Sequence, residues 1–372
     1  MNESEAQTLR ILHTESSCGW GGQEIRILTE MEGMIGRRYE MHLLCPEEST
    51  IYGVAQKNNL PVTAIPIARK KLRGMFALRK WLRQNRVDVI ITHSSTDSWL
   101  AAVACKTMLR PPRIIRLRHV SAAVPNNFPT RWLYNNACEH IVTTGKCIRD
   151  QLINDNGFAP QRITSIPTGL DLQKFSPGDK KAARKQLDLP ESKHIIGIIA
   201  TLRSWKGHCH LIEAFSRLIK QHENLHLLIV GEGPIREPLE TLVDEFNLKE
   251  EVTFAGNQEN TVPWFQSIDT FVLPSYANEG VPQALMQAMA CRLPVIGGAV
   301  GGLPETIEEG KTGLLFPPKD VSALVCAIEK LLDAPQLAEQ MGAAAYRAAQ
   351  EKFGMQIMLD KTCQVIDKAM KS

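Results

Sequence analysis

The chain has 372 residues, more than one hydrophobic core usually covers, and its 44% apolar and 22% charged residues are the balance of an ordinary globular protein rather than a disordered one. No apolar run reaches the length of a spanning helix, and the start, MNESEAQTLRILHTES, is too acidic and polar for a secretory leader, so a cytoplasmic protein is predicted. The formal charge of +3 hides an asymmetry: residues 1–170 hold 22 Lys/Arg against 14 Asp/Glu, whereas residues 171–372 hold 21 against 26, which predicts an anionic partner for the first half. The nine cysteines are scattered, odd in number and without CxxC spacing, and read as reduced thiols.

Short runs rich in Ile, Val, Leu and Thr recur in chain order, separated by stretches with helical periodicity: LRILHT, MHLLCP, VTAIPI, DVIITH, RIIRLRH, HIVTTG and ITSIP. After residue 190 the pattern restarts with HIIGIIATL, LHLLIVG, VTFAG, TFVLPS, PVIGGA and GLLFPP. Alternation of this kind predicts α/β architecture with parallel sheets covered on both faces. One open sheet of all these strands would be unusually wide, and PTGLDLQKFSPGDKK, from Pro167 to Lys181, breaks the apolar pattern with Pro, Gly and charge. Two domains, 1–170 and 171–350, are therefore predicted, with a helical tail over 351–372 that either caps the second domain or crosses back to the first.

The loops after the strands carry the polar signals. HTESSCGWGGQE places Gly19, Gly21 and Gly22 between the first strand and a helix, where backbone amides can approach a phosphate or sugar. The spacing is not GxGxxG, and no acid ends the second strand, so a dinucleotide dehydrogenase is disfavoured. Arg69 to Arg86 contains eight basic residues and no acid, interleaved with apolar ones, a composition suited to an anionic membrane surface, to a phosphorylated acceptor, or to a solvated helix packed through its apolar residues; nucleic acid is disfavoured because no reader motif accompanies the charge. His93, and then Arg118 with His119, stand at strand ends, and His119 is the candidate for contact with a reacting group. In the second half Arg203 and Lys206 follow a strand and suit a departing diphosphate. Gly231, Glu232, Gly256 and Asn257 lie in comparable loops. Glu279 sits between a strand and a helix whose first turn contains Pro282, a place where helix amides favour pyrophosphate.

In the order GWGGQE, RHVS, PTGLDLQKFSP, LRSWKGHCHLIEAF, VGEGP, NEGVPQALMQAMACRLPVIGGAVGGLPE and KTGLLFPPKD, the chain resembles the retaining GT-B glycosyltransferases of family 4 over nearly its whole length. The resemblance implies two Rossmann-like domains facing across a cleft, the first binding an acceptor and the second a nucleotide-sugar donor, with no metal or other cofactor and with retention of anomeric configuration. It implies that Glu279, first acid of an E-x7-E motif, contacts the donor sugar and that Gly280 and Val281 offer amides to its phosphate. By the same resemblance Lys206 holds the diphosphate, Gly22 lies near the donor phosphate and His119 is the active-site histidine of the first domain. Three positions depart from the pattern: the second acid is Gln287, an amide facing the ribose; the arginine five residues before the lysine is Thr201, leaving Arg203 to reach in; and Arg292 stands where a glycine commonly ends the motif helix. The expected reaction moves a sugar from a UDP- or GDP-sugar to a glycan or lipid-linked glycan, as in lipopolysaccharide or other surface polysaccharide synthesis, at the inner face of a membrane. A non-catalytic sugar-nucleotide-binding protein and a nucleotide-sugar epimerase on the same fold are the alternatives.

Overall fold

The computed structural model describes residues 8–277 and 279–371 and divides the chain into two compact units. The first runs to Gly169 and takes in the chain again from Met355, and the second is Leu170–Gly354.

Seven strands form the first sheet: β1 (Leu9–Thr14), β2 (Tyr39–Cys45), β3 (Val62–Ala64), β4 (Val89–Thr92), β5 (Arg113–Arg118), β6 (His140–Thr143) and β7 (Ile163–Ser165). Their order is β3-β2-β1-β4-β5-β6-β7, all pairings parallel. A strand buried on both faces needs apolar residues at every position, which is why VIIT in β4 is a continuous run. Alternate residues serve different cores: Ile114 packs with Leu78 and Leu100 of the covering helices, while Ile115 faces the helix Met355–Lys371, with Leu359, Val365 and Ile366. That tail helix is tied down by Arg37–Asp360 at 3.0 Å and by Lys368 donating to the Gln161 carbonyl at 2.8 Å.

The second sheet comprises β8 (His194–Ile199), β9 (Leu225–Val230), β10 (Val252–Gly256), β11 (Thr270–Leu273), β12 (Val295–Gly298) and β13 (Gly313–Phe316), again parallel, in the order β10-β9-β8-β11-β12-β13. Phe215, Phe265 and Phe271 are fully buried in its core. Each such ring is worth about 3–5 kcal/mol against truncation to alanine.

Both sheets share one topological property. The chain winds outward from the first strand of each unit, β1 or β8, then returns to that strand's other side at β4 or β11. Loops leaving the carboxyl ends of these neighbouring strands diverge and open a crevice, the usual binding place of an open α/β sheet. No described helix is long and apolar enough to cross a membrane.

Candidate functional site

In the second unit the crevice lies between the loops after β8 and β11, and the two loops are pressed together. Lys206 ends a single 3-10 turn, Ser204–Lys206, and Gly207 beyond it has φ of 76°. A Cβ on Gly207 would stand 2.1 Å from the Pro274 carbonyl oxygen, so both the backbone angle and the close approach demand glycine. The Tyr276 N–H donates to the Trp205 carbonyl at 2.9 Å and fixes the register of the loops. Lys206 Nζ thereby comes to 2.6 Å from Glu279 Oε1, which also accepts from Ser275 Oγ at 2.6 Å. Glu279 is 5% exposed, so these partners replace its hydration.

The loop after β12 supports the arrangement from behind. Gly301, at φ 57°, would place a Cβ 2.2 Å from the Glu279 carbonyl oxygen. Val281 is buried and Gly280 half-buried beside the start of the helix Gln283–Ala290. Pro282 stands one position before that helix, as its N-cap with ψ 126°, rather than in its first turn as expected from the sequence. Gln287 lies one turn inside, half-buried. The helix ends on Arg292 at φ 64°, with Arg292 N–H donating to Met289 at 3.0 Å and Leu293 N–H to Ala288 at 3.1 Å, the bond pattern of a glycine stop carried by an arginine.

Arg203, expected to pair with Lys206 on one anion, lies exposed over Trp205, 5.8 Å from its ring centre, and makes no ion pair among the described residues. Gly231, Glu232 and Gly256 come together at the ends of β9 and β10: Gly231 N–H donates to Gly256 at 2.8 Å, and Glu232 pairs with Arg236. Asn257 is exposed beside them. The predicted residues of this unit thus form two groups, one around Lys206 and Glu279 and one around Gly231.

The first unit has its own crevice, between β1 and β4. Here His13 Nδ1 lies 2.8 Å from His93 Nε2, and His93 Nδ1 lies 3.1 Å from His119 Nε2, the rings stacking in sequence. Burial lowers all three: His13 to about 4, and His93 and His119 well below the ordinary histidine value, with the Arg26 charge adding to it. A neutral His93 carries one N–H, so it donates to one neighbour and accepts from the other, and the tautomers of the three rings are coupled. Alongside, burial and then the Asp97 charge push Glu15 up to about 8, against hydrogen bonds from Ser17 N–H and the Gln23 amide. Asp97, raised by burial, accepts from Thr14 Oγ1 at 2.9 Å and His93 N–H at 2.8 Å. Gly22 opens the helix Gly22–Gly33 after Gly21, an N-cap without a side-chain bond. His119 and Gly22, and more weakly His93, are the residues of this group that the sequence signals. His13, Glu15 and Asp97 are not among them, although LRILHT, DVIITH and RIIRLRH put a histidine at the same end of three neighbouring strands.

Two family models match the chain end to end of each other: "Glycosyltransferase Family 4" over residues 20–174 and "Glycosyl transferases group 1" over residues 179–348. The chain belongs to the group 1, family 4 glycosyltransferases. Among curated relatives, the chain is 28% identical over 63% of its length to D-inositol 3-phosphate glycosyltransferase 2 of Catenulispora acidiphila, covering 57% of that protein. It is 30% identical over 73% of its length to the D-inositol 3-phosphate glycosyltransferase of Mycobacteroides abscessus, covering 58% of it. The matches span about half the length of these relatives. Among solved structures, a glycosyltransferase from Rickettsia africae superposes with TM-score 0.89 at 20% identity, covering 98% of this chain and 99% of that one. Anabaena HepE in complex with UDP gives 0.85 at 18%, covering 97% and 100%. These likenesses show the two-domain GT-B fold.

Proposed function

We propose that this glycosyltransferase binds a UDP- or GDP-sugar through its second unit and transfers the sugar, with retention and without a metal, to a glycan or lipid-linked glycan taken by its first, in synthesis of lipopolysaccharide or another surface polysaccharide. The observation that carries the reading is the Lys206–Glu279 pair at the crevice of the second sheet. Nucleotide-sugar use is supported by HepE, solved with UDP and with UDP-glucose.

In the reaction the bond between the anomeric carbon and the diphosphate oxygen breaks, a bond to the acceptor oxygen forms, and the acceptor's proton leaves with the departing phosphate. Charge accumulates on that phosphate, where a fixed cation and backbone amides lower the barrier most. Lys206 and the amides of Gly280 and Val281 take this role, and Arg203 reaches it by swinging off Trp205. Glu279 orients the sugar hydroxyls, Gln287 takes the ribose as an uncharged acceptor and donor, and the Gly231, Glu232, Gly256 and Asn257 loops take the base. Gly22 approaches the phosphate, and His119 meets the sugar with a neutral ring.

Turnover with a panel of nucleotide sugars tests this. Glu279→Ala and Lys206→Ala are each expected to reduce transfer by about 100-fold or more, the effect of losing a preorganised charge contact. Full activity in both variants would remove the assignment, a free epimer with no glycosylated acceptor would favour an epimerase, and nucleotide-sugar binding with neither outcome would favour a binding protein.

We further propose that residues 69–86 dock on an anionic membrane surface. The helix Leu72–Gln84 buries Met75, Leu78 and Leu82 but leaves Leu72 71% and Phe76 59% exposed among Arg69, Lys71, Arg73 and Lys80. Apolar anchors ringed by cations suit such a surface. Arg79 is committed elsewhere, donating to Thr107 at 2.7 Å, so Leu72→Ser with Phe76→Ser is the informative variant. Unchanged flotation with anionic vesicles would dismiss this docking.

A further inference from the structure

The first unit contains a buried cation that makes no ion pair among the described residues. Arg116, in β5, is 5% exposed, and its Nε and Nη1 have no hydrogen-bond partner among them. A guanidinium keeps its charge in any protein environment, and an unpaired buried charge is costly. The ring of Tyr134, 4.8 Å from the guanidinium carbon, offers a π face but no compensating acid. The acid within its field, Asp97, is already held by Thr14, the His93 N–H and the Ser94 N–H.

Two more cations gather there. Arg118, two residues along, falls on the same face of β5; its Nε is also without a partner, while Nη2 donates to the Ala122 carbonyl and Nη1 lies 3.5 Å from the Tyr134 hydroxyl. Lys70 is exposed, with Nζ 2.9 Å from Ser95 Oγ at the first turn of the helix Ser95–Lys106. Burial, and after it the charge of Arg116, lowers Lys70; burial also lowers Arg118, with Arg116 adding to it. None of the three makes an ion pair among the described residues. Arg116 is buried, Arg118 half-buried and Lys70 exposed.

We propose that Arg116, Arg118 and Lys70 form a binding site for an anionic group, phosphate or carboxylate, carried by the acceptor. The proposal deepens the reading that the first unit takes the acceptor and rests on it. A planar guanidinium fork matches two oxygens of either anion, and the burial of Arg116 strengthens the attraction. The site thus selects acceptors that bear negative charge close to the hydroxyl to be glycosylated.

Thermal-shift and calorimetric titrations of the full chain with glucose 1-phosphate, glucuronate, glucose and UDP test it. A charged sugar is expected to bind and raise the apparent melting temperature while glucose does not; stabilisation by the phosphate alone or by glucuronate alone identifies which anion the site prefers. Arg118→Gln and Lys70→Met should each weaken that binding by about tenfold or more and leave UDP affinity unchanged, whereas Lys206→Ala should leave it intact. Arg116→Met should abolish it while making the unliganded protein more stable, because it removes an unpaired buried charge. Equal binding of glucose, charged-sugar binding insensitive to Arg118→Gln, or an Arg116→Met variant that is destabilised would overturn the proposal. Failure of UDP to bind wild type would count instead against the function proposed above.

Discussion

Two buried glutamates follow the carboxyl ends of sheet strands with different partners. Glu279 has a lysine at 2.6 Å; Glu15 accepts from Ser17 N–H and the Gln23 amide, with Asp97 for company, and burial pushes it up to about 8. Raised above its ordinary value of 4.5, Glu15 keeps a proton in the folded chain that the unfolded chain releases, so its contribution to stability is lost as pH rises from about 4.5 through 8. Glu15→Gln should therefore move stability in the variant's favour by up to about 4 kcal/mol between pH 5 and pH 8.5, read from urea midpoints at the two pH values. A difference that does not change with pH would contradict the protonated state. Residue identity made Glu279 and Lys206 legible in the sequence, because each follows an apolar strand and precedes a helix. His13, Glu15, Asp97 and Arg116 were not legible: His13 and His93 are 80 positions apart, and only strand order brings them together. Arg116 sits inside a strand, where a basic residue carries no signal until its lack of a partner is seen.

At the scale of elements, local pattern was a good guide where burial is two-sided. Twelve of the thirteen described strands lie within the apolar runs read from the sequence, since a parallel strand covered on both faces cannot alternate, and β2 begins at Tyr39, two residues before its run. Ends were less legible. Pro282 lies outside its helix because the loop from Glu279 must first clear Gly301 and Gly302, and the tail divides at Phe353 and Gly354 into the helices Pro335–Lys352 and Met355–Lys371. Arg292 holds a left-handed backbone angle at φ 64° that glycine adopts without penalty. Its side chain gives little in return, being half exposed and 3.8 Å from Glu339. Arg292→Gly should accordingly stabilise the second unit by about 1 kcal/mol, a rise of about 2–4 °C in its melting temperature by calorimetry. A lower melting temperature would mean that the arginine side chain makes a contact worth more than the strain.

For the whole molecule, buried histidines make acid the direction of weakness. Burial lowers His13, His140 and His226 to about 4 and His208 to about 3, so both units carry neutral rings that the unfolded chain would protonate. Groups with depressed folded values bind fewer protons when native, and the stability they contribute is lost as pH falls from about 6.5 towards 4. The urea midpoint should drop between pH 7 and pH 5 by an amount equivalent to several kcal/mol, and a midpoint constant over that interval would contradict it. The Lys206–Glu279 pair is the proposed diphosphate site of the molecule. Calorimetric titration of UDP and GDP into wild type and Lys206→Ala tests it most directly. One nucleotide should bind wild type at least about tenfold more tightly than the variant; equal affinity in the two proteins would contradict the site.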